Sequence, residues 1–221
     1  MQLRREPSRR PANRLRPRAP PTYGPGMRSP LAHHLATMAY NNAWSNHRLL
    51  TGCARLSQAE FLAPRISFFP SIKATLNHNV TVDWYYVDAL ERGLRGAPPN
   101  PAARAYFDPE EPFTDCAELA TAQRAVDRRL VALCRELRDD LLDREVAVVR
   151  RTGVQREPAT RLLAHLFQHQ IHHRGQVHAM LAGTTVAPPQ LDEFFCANEA
   201  QLRAAELAEL GYSETEIWAK P

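Results

Sequence analysis

The stretch HLFQHQIHHRGQVH, residues 165–178, holds five of the nine histidines of this 221-residue chain. It lies within a longer segment whose apolar residues recur every three or four positions, which is the spacing of one face of an α-helix. Pro158 suits the first turn of that helix, and Gly183 suits its end. We therefore predict a long helix over residues 158–182.

Three of these histidines fall on one stripe of the predicted helix. Residues four apart lie about 40° apart around the axis and roughly 6 Å along it, so two such imidazoles can bind one metal ion. His165, His169 and His173 form the stripe, but its two ends are about 12 Å apart and do not easily share an ion. The helix therefore offers one pair, either 165 with 169 or 169 with 173, facing the interior. We expect Arg174 and His178 on another face, at the surface or in salt bridges.

Apolar periodicity predicts three further long helices, at about residues 30–56, 71–92 and 115–139. The second carries His78, whose neighbours on the same face are mostly small or apolar, so its side chain is expected to point inward. Three imidazoles from two helices, with the remaining positions open to water, are typical of a catalytic metal site. The same spacing also fits hydrogen-bonded core histidines, so periodicity alone leaves both interpretations open.

Four long helices predict an all-α fold, an antiparallel four-helix bundle with one long crossover. The crossover is the segment 94–113, which contains five prolines. Residues 141–157 have strand-like content and are consistent with a short hairpin. An extra C-terminal helix is expected at about 190–209.

The net positive charge of the chain comes from its N-terminus. Residues 1–30 hold eight arginines and one acidic residue, whereas the remainder is mildly acidic, although the whole chain has a formal net charge of +4. This Arg/Pro-rich composition predicts a disordered arm over residues 1–28, followed by one domain over 29–221. Met27 is an alternative start. The arm has almost no aromatic residues for base stacking, so no nucleic-acid partner is expected.

Composition also limits the location of the protein. No apolar run approaches the roughly 18 residues that a membrane helix needs, so no membrane association is expected. The four cysteines are far apart in sequence and do not form a disulfide framework. The cytoplasm, where thiols stay reduced, is the predicted compartment.

Three stretches resemble motifs of the DinB-like family of small bacterial proteins. The segment from His165 to Gln176 resembles the signature H-x-x-x-H-R-G-Q of that family. The segment 76–78, Leu-Asn-His, resembles its L-x-H motif on the second helix, and the segment 42–46 resembles its first-helix pattern Y-N-x-W-x-N. Asn41 departs from that pattern, since the family often has tyrosine there. The resemblance covers about residues 30–195.

The resemblance implies that His78, His169 and His173 are the metal ligands, which selects the pair 169/173 over 165/169. Related four-helix metalloproteins include S-transferases and isomerases that use the thiols bacillithiol or mycothiol. The resemblance therefore implies a divalent ion, a low-molecular-weight thiol as co-substrate and a small electrophile as substrate. Imidazole ligands suit both Zn²⁺ and Ni²⁺.

Three functions follow from this site as hypotheses. The first is a metal-dependent thiol transferase, the second a hydrolase that uses metal-bound hydroxide, and the third a stress-related protein without enzymatic activity whose ion holds the bundle together. The sequence assigns no catalytic acid or base, because Asp83 lies about 140° from His78 around the helix. His165 and His172 are candidates for orienting a metal ligand, and the sequence leaves their role open. Bundles of this kind readily pair helices, which is compatible with a homodimer.

Overall fold

The computed structural model describes residues 29–219, so the predicted disordered arm at 1–28 and the alternative start at Met27 lie outside it. In chain order, the α-helices are α1 (Pro30–Cys53), α2 (Gln58–Leu62), α3 (Ile72–Leu94), α4 (Cys116–Arg135), α5 (Asp139–Leu142), α6 (Ala159–Leu181), α7 (Ala200–Leu210) and α8 (Glu214–Trp218). Two strands, β1 (Glu145–Arg150) and β2 (Gly153–Pro158), lie between α5 and α6. Short 3₁₀ helices cover Ala103–Phe107, Glu193–Phe195 and Ala197–Glu199.

The four long helices α1, α3, α4 and α6 form a bundle, which confirms the predicted all-α fold. Helix α1 packs against α4 and α6, and α3 packs against the same two helices. Asn77 near the start of α3 bonds to Phe113 just before α4, and Glu91 near its end bonds to Arg129 further along α4. Helices α3 and α4 therefore run in the same direction. The long crossover, predicted at 94–113, spans residues 95–115 and returns the chain from the end of α3 to the start of α4.

Capping side chains set where the long helices begin. The hydroxyl of Ser29 accepts a hydrogen bond from the amide of Ala32 at the start of α1, and Ser71 does the same for α3. The carboxylate of Asp115 accepts from two amides of the first turn of α4. These side chains satisfy amide donors that have no partner within the helix, so each start is fixed locally.

The predicted hairpin is confirmed, and it packs on α3 through a close contact at Gly93. Strands β1 and β2 pair antiparallel, and Val146 and Val148 of β1 are buried. A Cβ atom on Gly93 would lie 2.8 Å from a methyl carbon of Val146 and 3.1 Å from its Cα. The absent side chain of Gly93 is therefore what lets the strand approach the helix so closely.

The C-terminal segment differs from the prediction of one helix at about 190–209. Two 3₁₀ turns occupy residues 193–199, and α7 begins only at Ala200. The buried guanidinium of Arg203 donates to the main-chain carbonyls of Glu193 and Cys196. Those carbonyls accept hydrogen bonds from the side chain of Arg203 and do not take part in an α-helix. This explains why α7 begins only at Ala200. Within residues 29–219, no helix is both long and apolar enough to cross a membrane.

Two glycine-to-alanine variants test the packing of the hairpin. Gly93→Ala should lower the free energy of unfolding by about 1–2 kcal/mol, because overlap with Val146 outweighs the gain in helix propensity. Gly175→Ala in α6 is the control, because a Cβ there meets nothing within 4 Å, and it should raise stability by up to about 1 kcal/mol. Urea unfolding of both variants is the measurement. A stabilising effect of Gly93→Ala would contradict the close contact.

Candidate metal centre

The structure brings together His78 of α3 with His169 and His173 of α6. The Nε2 atoms of His78 and His169 are 3.0 Å apart. One ring nitrogen from each of the three residues lies within 4.8 Å of the others. The ring of His173 is 4.5 Å from that of His169 and 4.8 Å from that of His78, measured between centroids. The three imidazoles thus converge on one point between two helices.

All three rings of this three-histidine cluster are neutral at pH 7. Burial, together with the nearby rings, lowers the pKa of His78 to about 4 and that of His169 to about 3. Burial also lowers the pKa of His173. Neutral imidazoles keep the lone pairs that a metal ion requires.

The close approach of these nitrogens fits a shared cation. Two nitrogens bound to one tetrahedral Zn²⁺ at about 2.1 Å lie about 3.4 Å apart, near the separation of His78 and His169. The other ring nitrogen of His169, Nδ1, is buried and has no hydrogen-bond partner among residues 29–219. The residues therefore fit a divalent ion.

Gln176 sets the orientation of His173. The Nδ1 atom of His173 lies 2.8 Å from the side-chain oxygen of Gln176, one helical turn further along. If Nδ1 carries the proton, it donates to that oxygen and leaves the lone pair on Nε2. The side-chain nitrogen of Gln176 lies 3.1 Å from Nε2 of His172. His172 therefore reaches the cluster through Gln176, and its ring also lies 4.9 Å from that of His173.

His165, the alternative partner for His169, lies at the edge of the cluster. Its side chain is exposed, and its ring is 6.2 Å from that of His169 and 5.2 Å from that of Tyr86. It does not join the group of converging nitrogens.

An aromatic residue that sequence reasoning missed covers part of the cluster. The ring of Phe69 lies 4.4 Å from that of His78 and 5.5 Å from that of His173. Its neighbour Phe68 is 78% exposed. The two phenylalanines lie just before the start of α3, the helix that carries His78. This position in the sequence was the available indication that they lie near the cluster.

Arg174 was predicted to lie at the surface or to act as a structural partner for an acidic residue. The surface position is wrong, whereas a structural role beside acidic residues agrees with the structure. The side chain of Arg174 is buried, and its Nη1 donates to the amide oxygens of both Asn42 and Asn46 on α1. The amide nitrogens of these asparagines donate in turn to the buried carboxylate of Asp127 on α4. Burial lowers the pKa of Arg174 to about 10, so the guanidinium is still charged at pH 7.

A second buried carboxyl group, Asp83 of α3, extends this network. It accepts hydrogen bonds from Gln123 of α4 at 2.6 Å and from Gln170 of α6 at 2.7 Å. Gln123 also donates to Asp127. Burial raises the pKa of both carboxyl groups, and the nearby charge of Asp83 raises that of Asp127 further, whereas Arg174 acts in the opposite direction on both. The network therefore has members on all four long helices.

The network also fixes how α6 is rotated about its axis. Gln170 and Arg174 directly follow His169 and His173 in sequence, so their side chains point about 100° away around the helix. When Gln170 and Arg174 point toward the buried carboxyl groups, His169 and His173 therefore point toward His78.

Comparison with known proteins agrees with this fold. The sequence model of the DinB family matches residues 27–206. This match extends at both ends beyond residues 30–195, which the motif resemblance covered. Two similar solved structures are a mycothiol-dependent maleylpyruvate isomerase and a histidine-to-alanine mutant of that enzyme. Each has a TM-score of 0.53 and 16% identity, over 84% of this chain and 74% of the other, and this likeness shows the fold. The chain has no match among curated proteins.

Replacing the buried Arg174 should destabilise the protein much more than replacing an exposed arginine of α6. Arg174→Met should lower the free energy of unfolding by about 3 kcal/mol, because it leaves buried carboxyl groups without a cation. Arg161→Met is the control, since Arg161 is exposed and pairs with Glu157 one turn away, and it should cost less than about 1 kcal/mol. Chemical denaturation is the measurement, and equal losses for the two variants would contradict the assigned network.

Proposed function

The chain belongs to the DinB family, and from this premise we propose that it is an enzyme that binds one divalent metal ion at His78, His169 and His173. The observation that carries the proposal is the convergence of three neutral imidazoles from two helices. Among residues 29–219, no cysteine, carboxylate or further histidine joins the group. Three protein ligands with open positions are typical of catalytic rather than structural sites.

A bound Zn²⁺ or Ni²⁺ lowers the pKa of a coordinated thiol or water and polarises a carbonyl group. The residues of the chain prepare the site for this ion. His78 and His169 present neutral nitrogens because they are half-buried, and Gln176 holds the ring of His173 in place. Phe69 covers one side of the cluster and limits the approach of water there.

The reaction that we propose is transfer of a low-molecular-weight thiol to a small electrophile. The S–H bond of the thiol breaks, and its proton is released to solvent. The sulfur forms a bond to an electrophilic carbon of the substrate, and the leaving group on that carbon departs with the electron pair of its bond, as chloride does from 1-chloro-2,4-dinitrobenzene. The support for a thiol is that the two similar solved structures are described as mycothiol-dependent. A cytoplasmic location fits this proposal, because all four cysteines of the chain are free.

The ligand assignment is tested by two histidine variants from the same stripe. The purified wild-type protein and His165→Ala should each retain about one divalent ion per chain, whereas His169→Ala should retain almost none. His165 is the matched control, because it lies four residues from His169 but outside the cluster. Elemental analysis after dialysis measures the occupancy and identifies the metal. Equal occupancy in the two variants would contradict the proposed ligands.

The reaction is tested with the metal-loaded protein, a panel of thiols including glutathione and N-acetylcysteine, and electrophiles such as 1-chloro-2,4-dinitrobenzene. Turnover should require both the thiol and the metal and should be lost in His169→Ala. A fully loaded protein that turns over none of these pairs would count against thiol transfer. Ester cleavage without thiol that rises with pH would favour a hydrolase instead. Cobalt spectra that show no exchangeable water would favour a structural ion.

A further inference from the structure

An open groove of about 630 Å³ is lined by Gln176 and Phe68, two residues that lie next to His173 of the three-histidine cluster. It lies between the loop that precedes α3, residues 64–68, and the C-terminal half of α6. Gln176, whose side-chain oxygen lies 2.8 Å from Nδ1 of His173, lines the groove near the cluster. Gly183, just beyond α6, lines it at the far end. The groove therefore leads away from the proposed metal centre along one helix.

The groove contains a cation whose hydrogen-bonding capacity is largely unused. The Nη2 atom of Arg65 donates to the main-chain oxygen of Glu60, at 3.1 Å. The Nε atom of Arg65 is buried and has no partner among residues 29–219. No carboxylate of those residues forms an ion pair with it. The carboxylate of Glu60 is engaged by Ser57 and Thr185 instead. A planar guanidinium with free donors is the preferred partner of carboxylates and phosphates.

Apolar side chains line the groove between its two ends. Ile66 is fully exposed and Phe68 is 78% exposed, whereas Met180 on α6 is buried beneath them. The loop is closed by a hydrogen bond of 2.8 Å from the amide of Arg65 to the carbonyl of Pro70, which holds these side chains at the edge of the groove. Large exposed apolar side chains next to a site often mark where a ligand binds.

The length of the groove limits the size of that ligand. A Cβ on Gly183 would lie 3.9 Å from Nη1 of Arg65, so the guanidinium lies beside that residue. Gly183 follows His173 by ten residues, which corresponds to ~15 Å along a helix. A molecule that reaches from the cluster to Arg65 must be elongated.

We propose that this groove binds an elongated substrate whose anionic end, a carboxylate or a phosphate, pairs with Arg65 while its reactive end lies at the three-histidine cluster. The inference rests on the proposed function and specifies its substrate class. The middle of the substrate packs against Phe68 and Met180, so it contains apolar groups. In a thiol-transfer reaction, such a substrate is a thiol with an acidic group at the opposite end.

Three probes built on the same thiol-bearing chain isolate the contribution of the anionic end. They are pantetheine, which has no charge, its phosphate ester and its succinate ester. Isothermal titration of the metal-loaded protein should show at least one of the two anionic esters binding about fivefold to tenfold tighter than pantetheine. Whichever ester shows the larger gain identifies the anion. Equal affinity for all three probes would overturn the proposal.

Paired variants assign the anion preference to the groove. Arg65→Gln should abolish it, whereas Arg55→Gln, which removes an exposed arginine outside the groove, should leave it intact. Ala179→Glu places a negative charge in the groove and should also abolish the preference, with Ala164→Glu, elsewhere on α6, as its control. The second pair keeps the test decisive if Arg65→Gln does not fold. A preference that survives both groove variants would overturn the proposal.

The S-methyl derivatives of the same probes separate this proposal from the proposed function. Blocking the sulfur should weaken binding to the wild-type protein and should have no effect on His169→Ala. If S-methylation has no effect but the anion preference still depends on Arg65, the thiol-transfer function is contradicted and the anion site stands. If S-methylation weakens binding but Arg65 makes no difference, the groove proposal fails and the function stands.

Discussion

The buried guanidinium of Arg174 is the interaction on which the arrangement of this bundle depends. An ionised group in the interior is tolerated only when it is paired and fully hydrogen-bonded. The asparagines of α1 bind Arg174 directly and connect it to Asp127 of α4. Asp83 of α3 joins the network through Gln123 and acts on the guanidinium by its charge. Any other rotation of α6 would leave a charge buried without a partner. One charge therefore selects a single packing from the many that apolar side chains alone would allow.

Two adjacent stripes of α6 have different roles because Arg174 must face its partners. One stripe, which includes Arg174, specifies the packing of the helices, and the adjacent stripe, with His169 and His173, presents neutral nitrogens to α3. Because the structural charges face the interior network, the histidine cluster needs no carboxylate to hold it in place. Its nitrogens remain available for a ligand.

The parts of the structure that sequence reasoning predicted depend on local patterns. The long helices follow from apolar periodicity and from caps such as Ser29 and Asp115, which act within four residues. The convergence of His78 with the pair on α6 follows from helical spacing once both faces are inferred to point inward. The burial of Arg174 was not predictable in this way, because its partners lie about 130 residues earlier, on α1. Phe69 and the turns at residues 193–199 were missed for a different reason, since side chains of the following helix, seven to ten residues further along, make the contacts seen there.

The parallel arrangement of α3 and α4 has a consequence for the order in which the chain assembles. Both helices, with their two acidic side chains, leave the ribosome well before α6 supplies the compensating positive charge. A nascent chain that ends at the hairpin would have to bury these acids in protonated form or keep them hydrated. Stable closure of the interior therefore waits for the helix that also carries two of the three clustered histidines, so the site and the completed fold arise in the same step.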